Sequence, residues 1–420
     1  MRVLQVTLSL ILFLGPAGLL WAGGNAPAAG EESLRLARRG EPLFRHYCAH
    51  CHGVHGDGDG YNAEFLDKDP AELSNPRFNA KRSNERLFRV IKLGGKAVKK
   101  SYLMPAFGHT LSEVEIWSLV AYIRLLSGDH DHPVSLPPGA SDQRPRFPED
   151  TRQSIQQFIE WFRGAGQSVE LQKQGELLFR DKLACFACHQ VDDEGGRVGP
   201  DLSRAGYLYK PEWLYVWIRN PQYARPDTKM PNLGVSEEQA RALISYLEGL
   251  KGEEEILPEE WQVYLEGEGD PRRGEQLFFD PEGKAYCAKC HTVQGQGGHV
   301  GPDLSYVGTS RTREFLLESI LNPKAVITVG FASVLILTRD GKFLTGVKVN
   351  EDDQSLDIVN KDGNPVHIEK RLIKKFKTQK ISIMPGNFKD ILSVQEIRDI
   401  LAYLSTLTIP PLREVQAKGN

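Results

Sequence analysis

Apolar positions along this chain recur in two rhythms, and the rhythms divide it. Residues 111–126, 235–250 and 392–407 carry apolar side chains three and four apart; in the first of these, Ile116, Leu119, Val120 and Ile123 share one face. The second residue of each stretch is a Ser with Glu or Gln three residues on: Ser112 with Glu115, Ser236 with Gln239, Ser393 with Glu396. Such pairs satisfy the unpaired N–H groups of a first turn, so the pattern predicts three capped amphipathic helices. Upstream of each lies a shorter helical signature: Gly40-Glu41-Pro42-Leu43-Phe44, Gly175-Glu176-Leu177-Leu178-Phe179 and Gly274-Glu275-Gln276-Leu277-Phe278. A further helix is predicted over 152–162. The second rhythm has period two. It runs through 331–338, 343–349, 356–359 and 366–368, with turns at Asp340-Gly341 and Asp362-Gly363. This predicts an antiparallel meander of about four strands within an insertion at about 324–380.

The first thirty residues stand apart. Arg2 precedes an apolar run to Leu14, Gly15-Pro16 breaks it, and small residues dominate 22–30. Residues 1–29 are expected to be a secretory signal peptide, which places the protein in the periplasm. An uncleaved anchor is the alternative, although the run is short for a bilayer span. No other stretch is long and apolar enough to span a membrane, so membrane association is expected only through a partner or that uncleaved leader. No Cys precedes Cys48, which excludes a lipid anchor on an N-terminal Cys. With 420 residues, 40% hydrophobic and 25% charged, the remainder is ordinary globular protein, long enough for several domains. A net charge of -3 provides no field for nucleic acid.

The cysteines carry the chemistry. All six lie in three copies of CxxCH: Cys48-Ala49-His50-Cys51-His52, Cys185-Phe186-Ala187-Cys188-His189 and Cys287-Ala288-Lys289-Cys290-His291. The spacing suits covalent haem c. Two thiols add to the two haem vinyl groups as thioethers, and the His directly after the second Cys lies beneath the iron. The proximal ligands are therefore His52, His189 and His291. Disulfide frameworks belong mostly to small domains and need no His after each pair. Zinc would require two such pairs in one domain, but these pairs lie far apart in the chain. A redox dithiol needs one copy in a strand-to-helix setting.

Taken together, the Gly-aromatic signature, CxxCH and the closing helix resemble class I c-type cytochromes. In that family the first and last helices cross, and a Gly and an aromatic on the first meet an aromatic on the last. Gly40/Phe44 with Tyr122, Gly175/Phe179 with Tyr246, and Gly274/Phe278 with Tyr403 match those roles. The resemblance implies a mainly α fold of three tandem cytochrome c domains, the third with the inserted β meander. It also implies a distal ligand before each closing helix. Apart from Met1 the chain has only Met104, Met230 and Met384, each followed by Pro, each in that slot. A thioether binds Fe(II) well and raises the reduction potential. His109 is the rival ligand in the first unit. In the second and third units, Gly199-Pro200-Asp201-Leu202-Ser203 and Gly301-Pro302-Asp303-Leu304-Ser305 resemble the family loop whose Pro carbonyl accepts the proximal imidazole N–H. The first unit has a Gly-rich turn over 53–60 instead, similar to cytochrome subunits attached to respiratory oxidases and dehydrogenases. Which carbonyl serves His52 stays open.

The expected layout is a first domain over 31–127, a Pro-rich linker and helix over 128–165, and a second domain over 166–251. An acidic linker over 252–270 and a third domain over 271–410 follow. The third unit resembles the haem domain appended to large bacterial membrane-associated dehydrogenases, on Asn322-Pro323, Gly330-Phe331, Asp340-Gly341 and Met384-Pro385. Lys96, Lys99 and Lys100 precede Met104, and Lys370, Arg371, Lys374, Lys375, Lys377 and Lys380 precede Met384. In the family that position is near the exposed haem edge, where basic groups steer an acidic partner; an ordinary solvated basic face is the alternative. The expected function is single-electron transfer by three haem c groups to redox proteins, with a respiratory oxidase, reductase or dehydrogenase complex as the partner class. The competing function is a haem enzyme, peroxidase-like or oxidoreductase, in which one axial position opens.

Overall fold

The structure is a computed structural model that describes residues 29–147, 150–252, 257–328, 330–351, 354–379 and 381–408. The expected leader lies outside these residues except for Ala29, as do 253–256 of the acidic linker, Lys380 and the last two residues of the expected third domain. Among the described residues no helix is long and apolar enough to cross a membrane.

Three helix pairs organise the chain. Helix α1 (Ala29–Tyr47) packs on α2 (Glu113–Leu126). After α3 (Arg152–Ala165), α4 (Val169–Leu177) packs on α6 (Glu237–Gly249), and α5 (Pro211–Arg219) lies beside them. Finally α7 (Pro271–Phe279) packs on α9 (Val394–Thr406), with α8 (Arg313–Leu321) against α9. The closing helices α2, α6 and α9 all begin with the capping box that the Ser-x-x-Glu/Gln pattern predicts. They start two residues later than the apolar period suggests, because Leu111, Val235 and Leu392 precede the caps.

The crossing point of each pair is backbone on backbone. A Cβ added to Gly40, Gly175 or Gly274 would lie 2.1, 2.0 or 2.0 Å from the carbonyl oxygen of Ser118, Ala242 or Asp399. No L side chain fits there. Just beyond, one aromatic pair closes each crossing: Phe44–Tyr122 at 5.3 Å between centroids, Phe179–Tyr246 at 5.6 Å and Phe278–Tyr403 at 5.6 Å. All three are tilted, the offset geometry that aromatic quadrupoles favour. Each crossing anchors its own apolar core, centred on Leu119, Leu243 and Leu401.

The Pro-rich segment after α2 is not the semi-extended spacer its composition suggests. Val134 is wholly buried in the first core, and its N–H donates to Ser33 Oγ at 3.1 Å. Arg144 grips Glu115 through two nitrogens at 3.0 and 2.7 Å, and Val114 N–H donates to Ser141 O at 3.1 Å. A few apolar and charged side chains between prolines dock the strap against its own unit. Helix α3 runs one turn beyond the predicted end and lays Ile155, Phe158 and Phe162 into the second core. Beyond the acidic run, Leu257, Trp261 and Leu265 pack with Tyr207, Leu208 and Phe315 between the second and third helix pairs.

The sheets differ from expectation in number and order. Two short hairpins, β1–β2 (Gln190–Val191 with Glu194–Gly195) and β3–β4 (Thr292–Val293 with Gln296–Gly297), follow the second and third CxxCH. Among its described residues the insertion has five strands where about four are expected: β5 (Ser333–Thr338), β6 (Phe343–Glu351), β7 (Ser355–Val359), β8 (Pro365–Glu369) and β9 (Ile373–Thr378). Their order is β8-β7-β6-β5-β9, all antiparallel, so the last strand returns to pair with the first. Strand β9 reads Ile-Lys-Lys-Phe-Lys-Thr, and its lysines resemble a charged loop. On an edge strand such lysines discourage pairing with another chain.

Gly274→Ala should destabilise the protein by about 2 kcal/mol or more, since backbone cannot move aside as a side chain would. Urea unfolding of the third core measures it; a loss below about 0.5 kcal/mol, the size of an ordinary surface substitution, would contradict the close-crossing account.

Candidate haem-attachment sites

Each CxxCH segment is a single tight turn. His52, His189 and His291 N–H donate to the carbonyl of the first Cys of their own motif at 2.9, 2.9 and 3.0 Å. That i to i+4 bond stacks the first thiol and the imidazole on one face. The entry differs between sites. Helix α1 runs straight into Cys48, whose N–H donates to Phe44 O at 2.8 Å. The second and third motifs are entered through left-handed residues, Ala184 (φ 57°) and Tyr286 (φ 33°). Non-Gly residues in that region are strained and persist only where the surroundings hold them.

All three imidazoles are tethered on one side. His189 Nδ1–H donates to Pro200 O at 2.9 Å, and His291 Nδ1–H donates to Pro302 O at 2.9 Å. In the first site the acceptor is Ala71 O, also at 2.9 Å, which answers the question the sequence leaves open. A carbonyl only accepts, so Nδ1 must carry the proton and Nε2 keeps its lone pair for a metal. Among the described residues no hydrogen bond occupies any of the three Nε2 atoms. Burial holds the three imidazole pKa values below the ordinary histidine value, against the opposing pull of the carbonyl bond, which favours the neutral ligand form. The loops are cut to the rings: a Cβ on Gly199 or Gly301 would lie 2.3 or 2.6 Å from the Cε1 of His189 or His291.

The six cysteines are unbridged and half-buried. Burial pushes the thiols of Cys48, Cys185, Cys188 and Cys287 up to about 12. Among the described residues no group of three or more His, Cys, Asp or Glu could hold a metal ion. A group that takes two thiols covalently and one neutral imidazole nitrogen fits these residues.

The Met-Pro loops carry related turns. Met230 and Met384 N–H donate to Thr228 and Ser382 Oγ at 3.2 Å each, and Leu103 N–H, one residue before Met104, donates to Ser101 Oγ at 3.1 Å. Met104 borders the first core with Cys48, and Met384 borders the third with Cys287. Met230 Sδ accepts from Trp217 Nε1 at 2.9 Å, and its carbonyl accepts from Gln222 Nε2 at 2.8 Å. Trp217 and Ala71 were missed from sequence. A tryptophan on an amphipathic helix reads as core, and a backbone acceptor has no side-chain signal. His109, the rival ligand, packs against Gly234 of the second unit and near Phe147. His299 meets Thr292 Oγ1 at 3.1 Å, and His367 meets Asp357 at 2.6 Å.

A helical scaffold that presents paired thiols beside a tethered neutral imidazole defines the class of covalent haem, electron-transfer proteins. The comparisons place the chain within it. The family described as cytochrome c oxidase, cbb3-type, subunit III matches residues 35–123, and the family cytochrome c matches 172–251 and 271–353. Cytochrome c of Gossypium barbadense is 36% identical over 97 residues, which span 18% of this chain and 86% of that protein. The chain belongs to the cytochrome c family, whose domains imply covalently bound haem c. Cytochrome c oxidase subunit 2 of Bacillus subtilis is 33% identical over 99 residues, 20% of this chain and only 28% of that subunit. A chain of the Kuenenia stuttgartiensis reducing HAO-like protein complex aligns over 50% of this chain and 95% of its own length, at 17% identity and a TM-score of 0.18, too low to carry an argument.

Trp217→Phe removes one donor from the Met230 sulfur, a change worth about 1 kcal/mol, or roughly 40 mV for one electron. Redox potentiometry should show one centre shifted downward by about that much and the others unmoved. No shift at any centre would mean that Met230 does not serve an iron.

Proposed function

We propose that the chain is a periplasmic carrier of single electrons holding three haem c groups in three tandem cytochrome c domains. The domains are 31–127, 166–251 and 271–410, the last with the β insertion. Cys48/Cys51, Cys185/Cys188 and Cys287/Cys290 form the thioethers, His52, His189 and His291 are the proximal ligands, and Met104, Met230 and Met384 are the distal ones. The observation that carries the reading is the threefold recurrence of one local arrangement: a helical CxxCH turn with its imidazole tethered to a backbone carbonyl. Haem iron, when bound, supplies a one-electron Fe(III)/Fe(II) couple. The residues of the chain hold it rigidly: the tether sets ring orientation and ligand basicity, the Pro after each Met stiffens the distal loop, and the apolar cores exclude water.

His52, His189 and His291 together with Met104, Met230 and Met384 would hold each iron from both sides and would leave none open to a substrate, which supports a carrier rather than an enzyme. Export across the inner membrane rests on the expected leader. Its partners would be redox proteins of a respiratory oxidase, reductase or dehydrogenase complex. The exposed Lys96, Lys99 and Lys100 before Met104 suit an acidic partner. The basic cluster before Met384 divides: Lys374, Lys375 and Lys377 are exposed on β9, whereas Lys370 pairs with Glu351 at 2.9 Å and Arg371 with Glu369.

A spectroscopic redox titration under carbon monoxide tests the reading. Three one-electron steps, a Met-ligated ferric band and no CO adduct are expected. Fewer haem groups, or a stoichiometric CO adduct on the reduced protein, would overturn it.

A further inference from the structure

One side chain bridges the first two attachment segments. Asn62 is fully buried. Its amide nitrogen donates to Cys51 Sγ at 3.3 Å, in the first motif, and to Ala187 O at 2.9 Å, between the two cysteines of the second. Its amide oxygen accepts from Arg197 N–H at 2.6 Å, in the loop leading to Gly199 and Pro200. Every hydrogen-bonding direction of that side chain but one acceptor lone pair is used, and all of it goes to the two sites.

On each side the following loop passes close over its own motif. A Cβ on Gly60 would lie 2.5 Å from His50 O, and one on Gly196 would lie 2.0 Å from Ala187 O. Leu103, from the Met104 loop, packs with Ala184 and Ala187, with Leu66, Tyr102 and Cys188 at the margin. Beside the Met230 loop, Asn232 N–H donates to Thr110 Oγ1 at 2.9 Å, which adds a second lock between the same two units. The junction of the second and third units is built differently. There Tyr209 bridges Arg311, Lys210 Nζ donates to Gly308 O at 2.7 Å, and Arg204 pairs with Glu318 at 3.1 Å, with no CxxCH residue involved.

We propose that Asn62 is a positioning residue that clamps the first haem-attachment segment onto the second and sets the rate at which those two centres exchange an electron. The proposal rests on the haem reading above. The exchange is balanced within the molecule: one centre is oxidised as the other is reduced, and no bond or proton moves. The Cys51–Asn62–Ala187 contact is the hydrogen-bonded connection between the two thioether segments, and the donor on Cys51 sulfur withdraws charge from the first centre.

Asn62→Ala and Asn62→Leu in the full-length holoprotein test this. Both variants should carry the normal haem content. After flash reduction, equilibration between the first two centres should slow about tenfold or more. The potential of the first centre should fall, and that of the third should stay fixed. In the unaltered oxidised protein, electron paramagnetic resonance should show two ferric centres broadening each other and a third that is not broadened; this readout needs no variant to fold. Haem-loaded variants with unchanged exchange and potentials, or an unaltered protein without mutual broadening, overturn the clamp alone. An unaltered protein that carries no haem overturns the haem reading and the clamp with it.

Discussion

Everything in this molecule depends on an imidazole that has only one nitrogen to offer. In each CxxCH turn Nδ1–H is committed to a backbone carbonyl 2.9 Å away, from Ala71, Pro200 or Pro302. The bond fixes the tautomer, the ring plane and the identity of the free nitrogen together. A side-chain acceptor could swing or change its protonation; a carbonyl held in a loop cannot. The helical bond from His to the first Cys carbonyl then settles where the thiols stand relative to that nitrogen.

The carbonyl must itself be held, and the core around each helix crossing takes in a residue of its loop: Ala71, Leu202 or Leu304. Gly40, Gly175 and Gly274 let two backbones meet, and Phe44, Phe179 and Phe278 pack on Tyr122, Tyr246 and Tyr403 beside them. Cys48 follows directly from α1, whereas short connections ending in left-handed Ala184 and Tyr286 lead from α4 and α7 to the second and third motifs. The loops that carry Pro200 and Pro302 return under the ring because Gly199 and Gly301 have no side chain to collide with it. The same economy appears where the units meet: buried Asn62 and the Thr110–Asn232 bond make the first two units one packed body near their sites.

Much of this was legible in the sequence, because its signals are local. CxxCH, the capping boxes and the Gly-aromatic pairs each lie within a few residues, and their chemistry follows from spacing. Three features were hidden. Strand β9 pairs with β5 across the insertion, and its lysines mask a weak alternation. The strap after α2 looks extended by composition, yet Val134 and Arg144 dock it. Ala71, Trp217 and Asn62 act through contacts that close only in three dimensions, one of them through a backbone oxygen that any residue would supply. The Pro carbonyls of the second and third sites could be anticipated from a loop sequence; the first site, with its Gly-rich turn, solves the same problem with a different loop.

The central claim is covalent haem at three places, and the mass of the intact protein tests it most directly. The mature chain, produced where haem-attachment machinery operates and unfolded in acid before analysis, should outweigh its polypeptide by three haem groups. Peptides containing Cys48–Cys51, Cys185–Cys188 and Cys287–Cys290 should each carry one. A mature protein that weighs the same as its bare polypeptide, or whose six thiols all remain free to alkylate, would contradict the account.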